Sequence, residues 1–451
     1  MRKAQLTRRE FALGTASVAL TGAVTSPAKA STASLDTKPA ILGGTPVRTK
    51  PFPTWPTLER VDEEKFSQSL REKKWCRLYG DTTTEFEQTW ARGLGAKFAI
   101  GVVNGTNALY AALNALEVGP GDEVLIPAYT FVATANAVIQ QFALPVFVDT
   151  DPVTQQMDPS DLEAKITENT RCIIPVHLGG NVANMDEIKR IAARRGLPIV
   201  EDACQAHYAE WRGQKAGALG DIGCFSFQST KILPCGEGGA VVTNRQDLYD
   251  RLHAFQNNGR DRVTGTRDGY LHQGSNLRMT EFQAALLLGQ LTRFETICKV
   301  REENARYLTE LFKKIPGIEP AGMYSGCTRN TYYLFMARYE RDGFKGLSRA
   351  GFLNALRKEG IDCGSGYSPL NKEPFLEKTF ASRLYRTIYS EERLKRYREM
   401  NECPTNDRLC REGLFFSQTM LLGTREDVEQ VAEAVSRIQR HAESIARISR
   451  S

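Results

Sequence analysis

A chain of 451 residues, 41% hydrophobic and 25% charged, is long enough for two packed domains and has the composition of an ordinary soluble protein. Its formal charge of +6 is concentrated at the start, where Arg2, Lys3, Arg8, Arg9 and Lys29 stand against Glu10, and this removes the case for a nucleic-acid partner. The ten cysteines form no CxxC pair and no metal-ligand spacing. Cys172, Cys204 and Cys224 fall in or beside apolar runs and read as free thiols.

Thr7-Arg8-Arg9-Glu10-Phe11 is a twin-arginine pattern, followed by a moderately apolar stretch to Val24 and a small-x-small site at Ala28-Lys29-Ala30. Residues 1–30 therefore read as a Tat-type export signal, with a periplasmic address if it is used and a cytoplasmic one if it is not. Residues 31–60, with Pro39, Pro46, Pro51, Pro53 and Pro56, read as an extended arm. A helical pattern begins at Glu63, Trp75 to Asp81 reads as a loop, and Glu85-Phe86-Glu87 opens a second helix.

An apolar strand from Phe98 to Val103 then runs through Asn104-Gly105-Thr106-Asn107 into a helix ending near Leu116. Such a turn points free backbone N–H groups and the positive end of a helix dipole at one spot, which suits an anion. A plain N-cap remains the simpler use of the same residues. Further strands follow at Glu123 to Ile126, Pro145 to Val148 and Cys172 to His177, with helices after Phe131, from Pro159 and from Met185. Alternating β and α elements predict a mostly parallel sheet with right-handed crossovers.

Two more apolar runs reach polar ends: Leu197 to Val200 leads to Asp202, and Ile222 to Phe227 passes Ser226 and precedes Lys231. A third run, Ala240 to Thr243, follows a glycine cluster. In open α/β sheets the working groups sit past the carboxyl ends of the strands. An acid, an amine and a hydroxyl placed there are what pyridoxal 5′-phosphate (PLP) requires: Lys231 for the Schiff base, Asp202 for the pyridine nitrogen and Ser226 for the phosphate.

This stretch, with the separated motifs in matching order, resembles the DegT/DnrJ/EryC1/StrS aminotransferases. The resemblance spans about Pro53 to Ile438. It implies PLP-dependent fold type I: a large domain (61–315) around a mostly parallel seven-stranded sheet flanked by helices, and a smaller C-terminal α/β domain (316–451). It puts Gly105, Thr106 and Asn107 at the cofactor phosphate, Phe131 on the ring face and Gln205 at the ring hydroxyl. Asn276, in Asn276-Leu277-Arg278-Met279, is implied to reach a neighbour's cofactor, hence a homodimer with shared active sites; its bland alternative is a helix cap. His177 matches a recurring histidine whose role is left open.

The implied reaction is ping-pong transamination through Lys231, from L-glutamate or L-glutamine to a keto-sugar or keto-cyclitol. Phe52-Pro53-Thr54-Trp55-Pro56 resembles the lead-in of the aminocyclitol and aminohydroxybenzoate branches, and Asn330 to Tyr333 and Tyr367 to Leu370 are expected on the substrate side. Alternatives are a PLP-dependent sugar dehydratase, which carries histidine at the Lys231 position, and a catalytically silent sensor. One departure stands near the site. Relatives usually carry glycine where this chain has Tyr208, so Tyr208 is expected to narrow or redirect the substrate space.

Overall fold

The computed structural model describes residues 38–448; the export signal expected over 1–30 lies outside the described residues. Among those residues no helix is long and apolar enough to cross a membrane.

Seven strands build the central sheet: β1 (Phe98–Val102), β2 (Glu123–Pro127), β3 (Leu144–Val148), β4 (Thr170–Ile173), β5 (Val200–Asp202), β6 (Ile222–Ser226) and β7 (Gly239–Thr243). β2 pairs in parallel with β3 and β4, and β5 pairs in parallel with β6. Parallel bridges at Ile173–Ile199 and Val176–Asp202 join these groups. β7 runs antiparallel between β6 and β1. The order is therefore 3-2-4-5-6-7-1, mostly parallel as expected. The reversal of β7 has a local cause: the loop from 227 to 238 contains no helix to carry a parallel crossover. Every residue of β2, β3, β6 and β7 is buried, as a sheet covered on both faces requires.

Helices α1 (Arg60–Glu72), α2 (Thr82–Leu94) and α3 (Gly105–Ala115) precede and follow β1, and α4 (Ala133–Gln140) follows β2. Further along the chain after β7 come two successive helices, α5 (Glu281–Leu291) and α6 (Phe294–Phe312). At the break Arg293 turns its guanidinium onto the buried carboxylate of Asp62, with Nη2 to Oδ2 at 2.6 Å.

A second core gathers around a three-stranded antiparallel sheet of β8 (Ile318–Pro320), β9 (Leu334–Tyr339) and β10 (Gly413–Ser417). Its membership differs from a simple cut at 315/316. Ile41, Leu42, Val47 and Phe52 of the arm pack on this second core, whereas residues from Leu370 to Cys403 belong to the first. The reason lies at the sheet edge. β3 is an outer strand, and Tyr397 donates its hydroxyl to the Pro145 carbonyl at 2.7 Å while Asn401 accepts from the Phe147 N–H at 2.5 Å. The segment thus satisfies backbone groups that an open edge would leave unpaired.

Candidate active site

The carboxyl ends of β5 and β6, the loop after β6 and the start of α3 converge on a cleft of about 450 Å³, within the usual range for a small-molecule site. Asp202, Ser226 and Lys231 line it, with Gly105, Thr106, Phe131 and Gln205. Tyr333 and Tyr367, from the segments expected on the substrate side, line it as well.

Gly105 is required where it stands. A Cβ there would lie 2.7 Å from Ser226 Cβ and 2.9 Å from Cys204 Sγ. The first turn of α3 can approach the end of β6 only because that atom is missing. Helix geometry leaves the Gly105 and Thr106 N–H groups without intrahelical acceptors, beside the Ser226 hydroxyl. Asn107 departs from expectation. Its N–H and side-chain amide both donate to Asn104 Oδ1, at 2.9 and 3.0 Å, so Asn104 is the N-cap and Asn107 does not line the cleft.

Asp202 is 5% exposed, accepts from the Thr134 hydroxyl at 2.9 Å and from the Cys204 N–H at 3.2 Å, and has no basic side chain among its hydrogen-bond partners. A buried carboxylate that faces the cleft with no basic side chain bonded to it among the described residues fits a cationic ring nitrogen. The spacing could have revealed Thr134: it stands three residues past Phe131, on one face of the helix opening there. Phe131 is 55% exposed and offers its ring to the cleft mouth.

Gln205 is oriented by two contacts. Its Oε1 accepts from the Gly179 N–H at 2.9 Å, and its Nε2 donates to the Tyr367 hydroxyl at 3.1 Å. Burial holds the Tyr367 phenol protonated well past its usual range. The ammonium of Lys231 lies 4.4 Å from the centre of the Tyr333 ring, a cation–π distance. Asn276 is exposed and is not among the cleft residues of its own chain; Thr280, with Gln283, caps α5, so Asn276 is not the cap either.

Two histidines beside the site are structural. His177 is fully buried, accepts from the Ala183 N–H at Nδ1 (3.2 Å) and donates from Nε2 to Glu201 (2.8 Å). Glu201 also collects the N–H groups of Gly217, Leu219 and Gly220. The pair ties the loop before β6 beneath the sheet and does not line the cleft. Burial pushes His207 down to about 3, so it is neutral and donates Nε2–H to the Ser226 carbonyl at 2.8 Å.

Tyr208 does not narrow the substrate space. With φ at +60° its side chain turns away from the cleft into an aromatic cluster, stacked on Trp90 at 5.2 Å and edge-on to Phe294 at 5.2 Å. Gly93 makes the room: a Cβ there would meet the phenol oxygen at 1.9 Å. Positive φ is also the conformation a glycine adopts without strain. Tyr208→Ala is expected to lower stability by about 3 kcal/mol, read as a fall in thermal midpoint, with kcat/KM unchanged at a temperature where the variant is folded. A changed acceptor preference at full stability would contradict this placement.

The fold and the cleft define a PLP-dependent enzyme of fold type I. Residues 57–436 match the DegT/DnrJ/EryC1/StrS aminotransferase family, and the chain belongs to it. It is 36% identical over 418 residues to an L-glutamine:2-deoxy-scyllo-inosose aminotransferase of Streptoalloteichus tenebrarius, covering 89% of this chain and 97% of that one. It is 32% identical over 388 residues to a 3-amino-5-hydroxybenzoate synthase of Amycolatopsis mediterranei, covering 85% and 96%. The crystal structure of a 3-amino-5-hydroxybenzoic acid synthase superposes with a TM-score of 0.79 at 31% identity, covering 89% of this chain and all of that one. The protein is a PLP-dependent aminotransferase.

Proposed function

We propose that this aminotransferase moves the amino group of L-glutamine to the ketone carbon of an uncharged keto-cyclitol, working as a homodimer with shared active sites. The observation that carries the acceptor class is the lining of the cleft. Beyond Asp202 and Lys231, which face the cofactor, its remaining charged side chain among the described residues is Glu237; the others with polar side chains include Gln228, Thr230, Tyr333 and Tyr367. Hydroxyl and amide groups match a polyhydroxylated ring, and a carboxylate at the rim disfavours a diphosphate. The glutamine and cyclitol substrates named for the relative from Streptoalloteichus tenebrarius support the same reading.

In this reading Gly105, Thr106 and Ser226 hold the cofactor phosphate, Phe131 covers the ring, Gln205 meets its hydroxyl and Asp202 its nitrogen. Bound PLP supplies an aldehyde to bond amines and an electron-poor ring. Asp202, pinned by Thr134 and Cys204, would meet the ring nitrogen and sustain that electron demand. Lys231 holds the cofactor at rest. Once displaced by the donor, its Nζ takes the proton from the donor α-carbon and returns one to the carbon that becomes the new amine centre. Tyr333 gives the freed ammonium a resting face, and Tyr367 offers a hydroxyl proton to the acceptor.

The dimer is supported by Asn276, which is exposed and outside the lining of its own cleft, and by an apolar face on α1, α5 and the loop between α1 and α2. There Phe66, Leu70, Trp75, Leu78 and Tyr79 are 37% to 72% exposed, and Phe282 lies 5.3 Å from Phe66 and 5.8 Å from Trp75. Pairing two differently inactivated chains tests it. The acceptor is tested by steady-state kinetics with L-glutamine and two acceptors, 2-deoxy-scyllo-inosose and a nucleotide-linked keto-sugar. The expected kcat/KM favours the free cyclitol by about 100-fold. A preference for the nucleotide-linked acceptor would overturn the assignment.

A further inference from the structure

The turn that carries Lys231 is held from behind by side chains drawn from three distant parts of the chain. Trp55, in the proline-rich arm, donates its indole N–H to the Lys231 carbonyl at 2.9 Å. Gln418, just past β10, donates Nε2 to the Thr230 carbonyl at 2.7 Å. Arg301, on α6, lies against both: Nη1 donates to Gln418 Oε1 at 3.0 Å, and the guanidinium carbon is 5.9 Å from the Trp55 ring.

Arg301 is fully buried, yet its hydrogen bonds go to Gln418 and to the Cys298 thiol, and its Nε has no partner among the described residues. Burying a guanidinium whose hydrogen bonds go to neutral groups is unfavourable, and an apolar residue of similar volume would serve packing better. What Arg301 does here that an apolar residue could not is orient the Gln418 amide so that its N–H₂ faces Thr230. None of the three side chains lines the cleft.

The front of the same turn is fixed separately. The Thr230 hydroxyl and N–H both bond to Gln228 Oε1, at 2.7 and 2.8 Å, and that hydroxyl lies 3.2 Å from the Tyr333 hydroxyl. Two consecutive carbonyls, 230 and 231, are therefore gripped by side chains that do not line the cleft. Fixing them fixes the peptide planes around the Lys231 Cα, and with them the direction in which the side chain leaves the turn.

We infer that Trp55, Gln418 and Arg301 are positioning residues for Lys231, aiming its amine at the cofactor aldehyde without touching cofactor or substrate. The inference rests on Lys231 being the residue that bonds the cofactor. It also gives the N-terminal arm a task beyond packing, since the arm delivers Trp55 to the lysine.

The test separates bonding from docking. Cofactor-free wild type, Trp55→Phe, Gln418→Leu and Lys231→Ala are titrated with PLP and with pyridoxamine 5′-phosphate, which has the same ring and phosphate but no aldehyde. Thermal midpoints establish that each variant is folded, and Trp55→Phe keeps the ring while removing the donor. The expected result is a fivefold to tenfold weakening of PLP (about one hydrogen bond's worth) in Trp55→Phe and Gln418→Leu, with pyridoxamine phosphate affinity within about twofold of wild type. Borohydride-trapped cofactor on Lys231 falls in parallel. Equal weakening of both ligands, or of neither, overturns the inference and leaves the three residues a purely structural role. If Lys231→Ala itself keeps the wild-type ratio of the two affinities, the assignment of Lys231 fails, which is a different result from failure of the positioning role.

Discussion

Lys231→Ala is expected to lower kcat for transamination by at least about 10⁴-fold while leaving the fold intact. The lysine is asked to do two things: to hold the cofactor through a covalent bond, and to carry a proton between two carbons. A lost general base alone costs up to that factor. Its removal leaves the Tyr333 ring without the cation 4.4 Å away, an interaction worth about 1 kcal/mol, which is a small loss for a chain of this size. Purified Lys231→Ala should therefore show a thermal midpoint near wild type with no measurable turnover. Turnover within about tenfold of wild type would remove Lys231 from the mechanism.

The second large effect concerns Asn276. Asn276→Ala and Lys231→Ala homodimers are each expected to be nearly inactive. Mixing them through a dissociation and reassociation step should restore about a quarter of wild-type activity, because half the dimers are mixed and one of their two sites then draws an intact lysine and an intact asparagine from different chains. If Asn276 served its own chain, each mixed dimer would combine one lysine defect and one asparagine defect in separate sites, and no activity would return. The two arrangements therefore differ in a yes-or-no outcome.

The strand ends were legible because burial on both faces demands continuous apolar residues, so that Asp202, Ser226 and Lys231 stand out as polar groups where such runs stop. Gly105 was legible for a related reason, since a strand, a glycine and a helix start form an anion site from local geometry alone. Asn107 was expected at the phosphate, whereas the N-cap asparagine three residues earlier accepts from its backbone N–H and its side-chain amide. That choice between Asn104 and Asn107 depends on backbone angles that the order of residues does not state.

Tyr208 shows the same limit more sharply. A positive φ sends its ring to Trp90 and Phe294 instead of into the cleft. The space it fills is made by Gly93, more than a hundred residues away in the chain. Trp55, Arg301 and Gln418 were invisible in their roles for the same reason: each is an unremarkable residue in its own segment. Only the packing of arm, α6 and β10 around one turn brings them together. The division of the cores was likewise set at long range, by Tyr397 and Asn401 covering the β3 edge.

The central claim, that Lys231 and its surroundings perform amino transfer on bound PLP, is tested most directly by the visible absorbance spectrum. Wild type and Lys231→Ala are each reconstituted with PLP and then given L-glutamine without acceptor. The expected result is a visible band from lysine-bound cofactor in wild type alone, bleaching on addition of L-glutamine and returning when a keto-cyclitol is added. A wild-type spectrum that takes up PLP yet responds to no amino donor would contradict it.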